Sequence, residues 1–403
     1  MRIVYLSSEY PAISHTFIYR EIQALRDQGA EVCTASIRRP DHLQSMTAGE
    51  QSEAAKTFYI KDSSLIRLGQ AHVRLLAQGP KAYWKMLQRA VRLSRQYTRN
   101  LFKAAAYCAE AGLLLEWMQA KRVDHLHVHF ANPAATVALI AKAYGSLEYS
   151  LSVHGPDIFA NVHLSALPAK FEEASSIRCI SHYCRSQVCS LIPAGHWDKT
   201  RIVRCGVDLD VFAPRPDPGN PVPEILCVGR LVAVKGQHVL IQACAQLVQE
   251  GYALHLTLVG DGPDRQSLEQ AVADFDLHDQ VTLTGAVGQD QVHGYLDQAD
   301  FFVLPSFAEG VPVVLMEAMA KTVACVSTRI TGIPELIEHG HDGLLCFPSD
   351  VEGLARCMRK LIDSPDYRRM LGMQGRSKVA RYYSLQGNCR AMADFFRQRM
   401  SAL

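Results

Sequence analysis

Short apolar runs alternate with longer amphipathic segments along almost the whole chain, and this pattern constrains the fold more than any other feature. The predicted strands cover residues 3–6, 31–36, 125–130, 149–153 and 176–180, and then 224–228, 254–259, 281–284, 301–304 and 323–326. Strands that alternate with helices form parallel sheets covered by helices on both faces. The pattern therefore predicts an α/β fold with two doubly wound parallel-sheet domains that face each other across a cleft.

Length and composition support two domains. The chain has 403 residues, of which 48% are hydrophobic, and this is enough for two cores of about 200 residues each. A stretch rich in Pro and Gly, residues 214–223, predicts a linker. We expect a first domain at 1–206, a second at 207–380, and a C-terminal helix at 381–403 that packs back on the first domain.

Charge is distributed unevenly between the halves. Residues 1–206 contain 25 Lys and Arg against 16 Asp and Glu, whereas residues 207–380 contain 13 against 23. Residues 61–103 hold ten basic side chains and one acid, Asp62, in what reads as a helical pair broken near Gly79 and Pro80. This basic insert is either a solvated face or a docking surface for an anionic membrane or a phosphate-bearing acceptor. No nucleic-acid motif accompanies the charge, so nucleic acid is not the expected partner.

The sequence predicts a cytoplasmic protein. No apolar run reaches the roughly 20 residues of a membrane span, and the first residues are too short an apolar segment for a signal peptide. The twelve cysteines form no Cys-x-x-Cys pair and sit in apolar contexts, which favours reduced core thiols over disulfides or zinc ligands.

The segment from Glu309 to Glu317 combines two carboxylates with an apolar helix. We expect Pro312 at the first helical position, where its missing N–H has no intrahelical partner. Glu317 is then a carboxylate on a buried helix and needs a partner, such as a sugar hydroxyl or a cation. Glu309 precedes the helix, whose free N–H groups suit a phosphate. Alternatively, Glu309 caps the helix and Glu317 pairs with a buried basic residue.

A second loop begins at Gly229 and carries Arg230 and Lys235 between a strand and a helix. Two cations five residues apart on such a loop can converge on a diphosphate. Ordinary surface charge is the competing interpretation. The loop is not a P-loop, because the pattern Gly-x-x-x-x-Gly-Lys-Ser/Thr is absent.

Histidines and acids elsewhere raise the question of a metal. His154 follows a strand end and either contacts a sugar or belongs to a structural turn. The three histidines at 125, 127 and 129 share one face of a strand, but adjacent strand positions rarely surround one tetrahedral zinc ion. Asp208 and Asp210 form an Asp-x-Asp for which a structural turn is the preferred interpretation. We therefore predict no metal site.

Two enzyme classes are disfavoured by missing motifs. No Gly-x-Gly-x-x-Gly follows the first strand, which argues against a nicotinamide enzyme. No Gly-x-Ser-x-Gly elbow is present, which argues against a hydrolase of that kind.

Taken together, the chain resembles the retaining glycosyltransferases of family 4, which have two Rossmann-like domains in the GT-B arrangement. The resemblance covers nearly the whole chain and rests on the segments 206–208, 228–236, 259–263, 309–317, 331–335 and 341–345. The segments 10–21, 127–130 and 154–157 resemble the branch that builds bacterial exopolysaccharides of the colanic-acid kind. Two departures concern Ser14-His15, where this branch usually has Ser-Glu, and Thr331, where a Gly is common.

The resemblance implies a role for each acidic and basic residue of the second domain. Glu309 would hold hydroxyls of the transferred sugar, and Glu317 would bind the ribose of the nucleotide. Arg230 and Lys235, on the loop that starts at Gly229, would neutralise the departing diphosphate.

Backbone and first-domain groups would complete this site. The N–H groups of Gly310 and Val311 would assist the two cations, and His154 would contact the donor sugar and stabilise the transition state. No cofactor is implied beyond the nucleotide-sugar donor, for which UDP is slightly preferred over GDP.

The implied function is sugar transfer to a lipid-diphosphate-linked saccharide at the inner face of the cell membrane. Three alternatives stay open: a sugar-nucleotide epimerase of similar shape, a non-catalytic nucleotide-sugar-binding component of a polysaccharide assembly complex, and a synthase of the starch or sucrose type with soluble acceptors.

Overall fold

The computed structural model describes residues 2–12, 16–41, 43–145, 147–155 and 161–400. The chain divides into two compact units. Unit 1 comprises Met1–Val203 and Cys389–Leu403, and unit 2 comprises Arg204–Asn388. Four residues of the segments discussed above lie outside the described residues: Ser14, His15, Pro156 and Asp157.

Unit 1 contains a parallel sheet with the strand order β3-β2-β1-β4-β5-β6-β7 among the described residues. The strands are β1 (Arg2–Glu9), β2 (Glu31–Arg38), β3 (Phe58–Tyr59), β4 (His125–His129), β5 (Tyr149–Val153), β6 (Ser176–Cys179) and β7 (Thr200–Ile202). Every residue of β4 and β5 is buried, because helices cover both faces of a parallel sheet. The predicted parallel α/β fold is thus confirmed, although the short strands β3 and β7 were missed.

Helices of unit 1 connect these strands. They are α1 (Thr16–Asp27), α2 (Ala48–Lys56), α3 (Leu65–Gln78), α4 (Pro80–Leu93), α5 (Leu101–Lys121), α6 (Pro133–Lys142), α7 (Leu167–Glu173) and α8 (His182–Cys189). The predicted helical pair of the basic insert is confirmed as α3 and α4, which meet at Gly79. The Ser64 hydroxyl caps α3, and Pro80 opens α4.

Unit 2 contains a second parallel sheet, ordered β10-β9-β8-β11-β12-β13 among its described residues. The strands are β8 (Glu224–Val228), β9 (His255–Val259), β10 (Val281–Gly285), β11 (Phe301–Leu304), β12 (Ala324–Thr328) and β13 (Leu344–Cys346). The helices are α9 (Gln237–Gln249), α10 (Arg265–Asp274), α11 (Gln289–Gln298), α12 (Val313–Ala320), α13 (Ile333–Leu336), α14 (Val351–Asp363) and α15 (Pro365–Tyr382). Numbered within the unit, this order is 3-2-1-4-5-6, the doubly wound order of dinucleotide-binding folds.

The Pro- and Gly-rich stretch 214–223 is not the linker that the sequence predicted. It lies inside unit 2, whose boundary falls at Arg204. The Arg215 guanidinium donates to the Ala299 carbonyl oxygen, and the Asn220 amide donates to the Asp300 carboxylate at 2.8 Å. Residues 214–223 therefore form an irregular segment of unit 2 that is hydrogen-bonded to the residues just before β11.

The last helix, α16 (Leu385–Met400), contributes to the core of unit 1 from Cys389 onward. Met392, Phe395 and Phe396 pack against Ile3 and Tyr5 of β1. None of the helices in the described part of the chain combines the length and the hydropathy that a membrane crossing requires.

Candidate nucleotide-sugar site

Three loops of unit 2 meet at the carboxyl edge of its sheet. They follow β8, β9 and β11, and their contact depends on glycine. Gly236 has φ of +68°, and a Cβ there would lie 2.3 Å from the Pro305 carbonyl oxygen. At Gly260, with φ of +143°, a Cβ would lie 2.1 Å from the Gly229 carbonyl oxygen. Since only glycine tolerates both the backbone conformation and the close approach, these positions fix how the loops pack.

Lys235 and Glu309 meet where the β8 and β11 loops touch. The Lys235 ammonium lies 2.5 Å from Glu309 Oε1, and the Ser306 hydroxyl donates to the same oxygen at 2.7 Å. The backbone of the two loops is joined beside this contact, since Phe307 N donates to Val234 O at 2.7 Å. The two residues, 74 positions apart in sequence, are therefore one polar unit with mostly buried side chains.

Helix α12 starts beside this ion pair. Pro312 is the N-cap, with ψ of 124°, and the helix begins at Val313. The expectation that Pro312 occupies the first helical position was wrong by one residue, because its extended ψ leaves it outside the helix. No side chain caps this end, so the first N–H groups and the positive end of the helix dipole are available to an anion. Glu317 lies on the buried side of the same helix.

The remaining predicted donor-site residues are also in unit 2. Arg230 is exposed directly after Gly229 at the end of β8. Gly310 and Val311 lie between Glu309 and the N-cap of α12, and Gly310 O accepts from Gly332 N at 3.2 Å. The fold thus places all the predicted acids, cations and backbone donors of this unit on the loops and first turns at one sheet edge.

Two residues that support Glu309 were not singled out for this role from the sequence. Ser306 holds its carboxylate, and the Thr331 hydroxyl donates to its backbone oxygen at 2.5 Å. Thr331 has φ of +44°, a left-handed conformation that disfavours a β-branched residue. A threonine where relatives commonly carry glycine was visible in the sequence, but its partner 22 residues away was not.

His154 belongs to unit 1, where it follows β5. Its ring is buried and lies 4.9 Å from the ring of Phe17 and 5.0 Å from that of Phe130. Its Nε2 is 3.2 Å from His129 Nδ1. His154 is therefore held in an aromatic cluster at the carboxyl edge of the unit 1 sheet.

The three histidines of β4 are bonded to the neighbouring strand or to helix α1. The Ser150 hydroxyl lies 2.7 Å from both His125 Nε2 and His127 Nδ1, and the Ser152 hydroxyl lies 2.8 Å from His127 Nε2. His129 Nε2 lies 3.7 Å from the Glu21 carboxylate. Burial lowers the pKa of His127 well below its usual value, and the neighbouring His129 and His125 add to this. His127, between two serine hydroxyls, is a structural residue inside the sheet.

One trio among the described residues brings metal-ligand atoms together, Glu338, His341 and Asp342. Asp342 is occupied by other partners: its carboxylate accepts from Glu338 N at 2.6 Å and lies 2.9 Å from the Lys378 ammonium. These contacts close a turn before β13. Asp208 likewise accepts from the backbone N–H groups of Asp210 and Val211, and it forms the structural turn predicted for it.

Comparison with known proteins identifies the family. The description "Glycosyltransferase Family 4" matches residues 15–211, and "Glycosyl transferases group 1" matches residues 215–378. WcaL of Salmonella typhimurium, a candidate colanic acid biosynthesis glycosyltransferase, is 30% identical over 98% of this chain and 99% of its own length. The chain belongs to the family 4 glycosyltransferases. The amylovoran biosynthesis glycosyltransferase AmsK of Erwinia amylovora is also 30% identical to it, over 90% of each chain.

Solved structures confirm the fold of this glycosyltransferase. Sucrose-phosphate synthase from Thermosynechococcus elongatus matches with a TM-score of 0.78 at 20% identity over 100% of both chains. Anabaena HepE, solved in complex with UDP-glucose, matches with a TM-score of 0.76 at 17% identity over 99% of this chain and 100% of that one. The predicted GT-B fold of two parallel-sheet, Rossmann-like domains is therefore correct.

Proposed function

We propose that this glycosyltransferase moves a sugar from a nucleoside diphosphate sugar to a saccharide acceptor during synthesis of a surface polysaccharide. The similarity to WcaL and AmsK, which are named for colanic acid and amylovoran biosynthesis, supports the pathway. The UDP-glucose bound to HepE supports UDP as the nucleotide. The single observation that carries the proposal is the Lys235–Glu309 ion pair beside the uncapped start of α12. The cation and the free N–H groups can bind the diphosphate, and the carboxylate can accept hydrogen bonds from sugar hydroxyls.

The proposed chemistry is electrostatic. The bond between the anomeric carbon and the diphosphate oxygen breaks, and a bond from that carbon to an acceptor oxygen forms on the same face. The acceptor's proton passes to the departing phosphate oxygen, so the configuration is retained without a protein nucleophile or a metal. Arg230, Lys235 and the N–H groups of Gly310 and Val311 stabilise the charge that develops on the leaving group.

Carboxylates and the imidazole select and orient the donor. Glu309, held by Ser306, accepts hydrogen bonds from sugar hydroxyls, and Glu317 accepts from the ribose. The proposal keeps for His154 the role that the family resemblance implies, contact with the donor sugar and stabilisation of the transition state. Fixed groups of this kind need no reorganisation as the barrier is crossed.

We propose a lipid-linked acceptor at the inner face of the membrane because of the surface of α3 and α4. Leu65 and Trp84 are 84% and 60% exposed there, and Phe102, at the start of α5, is 91% exposed. Exposed basic side chains lie on the same helix as Trp84, including Lys85 and Arg92. Large apolar side chains among cations are typical of helices that lie in an anionic membrane interface.

Product analysis tests the reaction. The purified protein is incubated with labelled UDP-sugars, alone and with a membrane lipid extract from a polysaccharide-producing bacterium. We expect label to enter a lipid-extractable product only when the extract is present. An isomerised donor formed without an acceptor would identify an epimerase, and donor binding without any turnover would identify a non-catalytic binding component.

Vesicle sedimentation tests the membrane surface separately. The double variant Trp84→Ser with Phe102→Ser should lose binding to vesicles that contain anionic phospholipid. The matched control is Val211→Ser, which removes an exposed apolar side chain from unit 2. Equal binding of all three proteins would contradict the assignment of this surface.

A further inference from the structure

A pocket of unit 1 has no role in the donor site. Its cavity volume is about 130 Å³, and it opens to solvent. Its walls come from the end of α4, the π-helical turn Ser94–Thr98, the start of α5, one side of α6 as far as Ile140, residues 164–166 and Lys170 of α7. Because α6 follows β4, one end of the pocket lies near the carboxyl end of that strand, the edge at which ligands of such sheets bind.

One wall of the pocket contains the buried hydroxyl group of Ser94. Ser94 lines the pocket and is 3% exposed, and its Oγ has no hydrogen-bond partner among the described residues. A buried hydroxyl without a hydrogen-bond partner destabilises the fold, and a ligand oxygen or hydroxyl would remove that cost. Ser94 also begins a π-helical turn, closed by Arg99 N donating to Ser94 O at 2.6 Å. Single π-turns occur frequently at functional sites.

The charged side chains among the described lining residues are lysines. Lys103 is exposed at the rim, whereas Lys170 is 1% exposed and donates to the carbonyl oxygens of Ala131 and Asn132 at 2.8 and 3.0 Å. Burial lowers the pKa of Lys170 to about 7, so an anion in the pocket would favour its charged form. The first turn of α6 borders the same space, and the Asn132 side chain caps it by accepting from Ala134 N at 3.1 Å.

Two aromatic residues complete the wall. Tyr97, on the π-helical turn, and Tyr107, on α5, line the pocket. Tyrosine offers both an apolar ring face and a hydroxyl group, a combination that suits the apolar faces and hydroxyls of a sugar. The pocket therefore combines two lysines with side chains that suit a saccharide.

We propose that this pocket, lined by Ser94, Tyr97, Lys103 and Tyr107, binds a phosphate-bearing saccharide. Its identification as the acceptor site rests on the proposed transferase function. Helix α4 connects the two features: Ala90 and Leu93 line the pocket, whereas Trp84 and Val91 are exposed on the proposed membrane surface. An acceptor whose lipid lies in the bilayer would then reach the pocket along one helix.

Saturation-transfer NMR on the intact protein tests the pocket, because this method detects weak ligands. The probes are glucose 1-phosphate, glucose, inorganic phosphate and farnesyl diphosphoglucose. The variants are Ser94→Leu, which fills the pocket, and Lys103→Met, which removes the cation at the rim. The matched control is Lys81→Met, since Lys81 is exposed on α4 and does not line the pocket. Melting temperatures establish that each variant is folded, and Lys103→Met serves alone if Ser94→Leu is not.

We expect glucose 1-phosphate to bind the unmodified protein, and to bind Ser94→Leu and Lys103→Met at least about fivefold more weakly. Binding should be unchanged in Lys81→Met and in Lys235→Met, which alters only the donor site. Stronger binding of farnesyl diphosphoglucose than of glucose 1-phosphate would identify a lipid-anchored ligand. Equal binding of the two probes would identify a soluble sugar phosphate.

Two results would overturn the assignment. The first is glucose 1-phosphate binding that survives Ser94→Leu and Lys103→Met but is lost in Lys235→Met, since the probe then occupies the donor site. The second is glucose binding as strongly as glucose 1-phosphate, or no detectable binding of any probe. If glucose 1-phosphate binds in the pocket but no sugar transfer is detected, the binding site is supported and the transferase function is rejected. Failure of the binding proposal can thus be distinguished from failure of the proposed function.

Discussion

The first six strands of the unit 1 sheet have the same order as the six strands of the unit 2 sheet, yet the carboxyl edges of the two sheets differ in chemistry. In unit 2 the loops at this edge are short, pack through glycine contacts and carry the Lys235–Glu309 ion pair. In unit 1 the edge holds the buried aromatic cluster of His154 and a pocket beneath a long helical insert. Topology thus fixes where the loops meet, whereas loop length and residue type decide what they can bind.

The largest expected effect concerns loop packing in unit 2. We expect Gly236→Ala to lower the free energy of unfolding by about 2–5 kcal/mol, because it combines a left-handed backbone with a 2.3 Å approach to Pro305 O. Gly251→Ala is the matched control: its φ is +91°, but nothing lies within 4 Å of the added Cβ. Denaturant unfolding measures both, and equal losses would show that close packing of the loops does not matter.

The ion pair is the second point at which the edges differ. We expect Lys235→Met and Glu309→Gln each to lower kcat/KM at least about tenfold, or roughly 1.4 kcal/mol of barrier. Because the two side chains are bonded to each other, the double variant should lose less than the product of the single losses. Lys360→Met, an exposed lysine of the same unit, should leave the rate unchanged. Strictly multiplicative losses would mean that the residues act independently.

The stability of unit 1 in acid should depend on its buried histidine His127. The pKa of His127 in the folded protein is depressed, so in acid the unfolded chain binds a proton that the folded one lacks. Stability is therefore fully present above about pH 6.5 and falls with decreasing pH by up to about 1.4 kcal/mol per unit for this group. Unfolding of His127→Gln should depend less on pH between 5 and 7, whereas the exposed-site variant His196→Gln should behave like the unmodified protein. An unchanged pH profile in His127→Gln would contradict this account.

The smallest expected effect concerns Thr331. Thr331→Val removes the hydroxyl that bonds to the Glu309 backbone but keeps the branched side chain at φ of +44°. We expect a loss of about 1 kcal/mol in stability and a modest rise in the KM for the donor. Thr331→Gly loses the same bond and relieves the strained backbone, so it should be about 1 kcal/mol more stable than Thr331→Val. A valine variant as stable as the glycine variant would mean that the backbone is not strained there.

Sequence reasoning placed most strands of both sheets within a few residues, because strands buried on both faces read as continuous apolar runs. It missed β3, β7 and β13, which have only two or three residues each and so carry little pattern. It also interpreted the Pro- and Gly-rich segment 214–223 as a linker, because composition indicates an irregular segment but does not indicate its hydrogen-bond partners.

The sequence by itself determined the fold class, the family and the residue types of the proposed donor site, because periodicity and local motifs are properties of neighbouring positions. Only the tertiary structure decided that Lys235 bonds to Glu309, that Ser306 and Thr331 support it, and that Ser94, Lys103 and Lys170 line one pocket. The residues brought together in this way are up to 76 positions apart in the sequence. Their geometry depends on how the elements pack, and no local pattern encodes that packing.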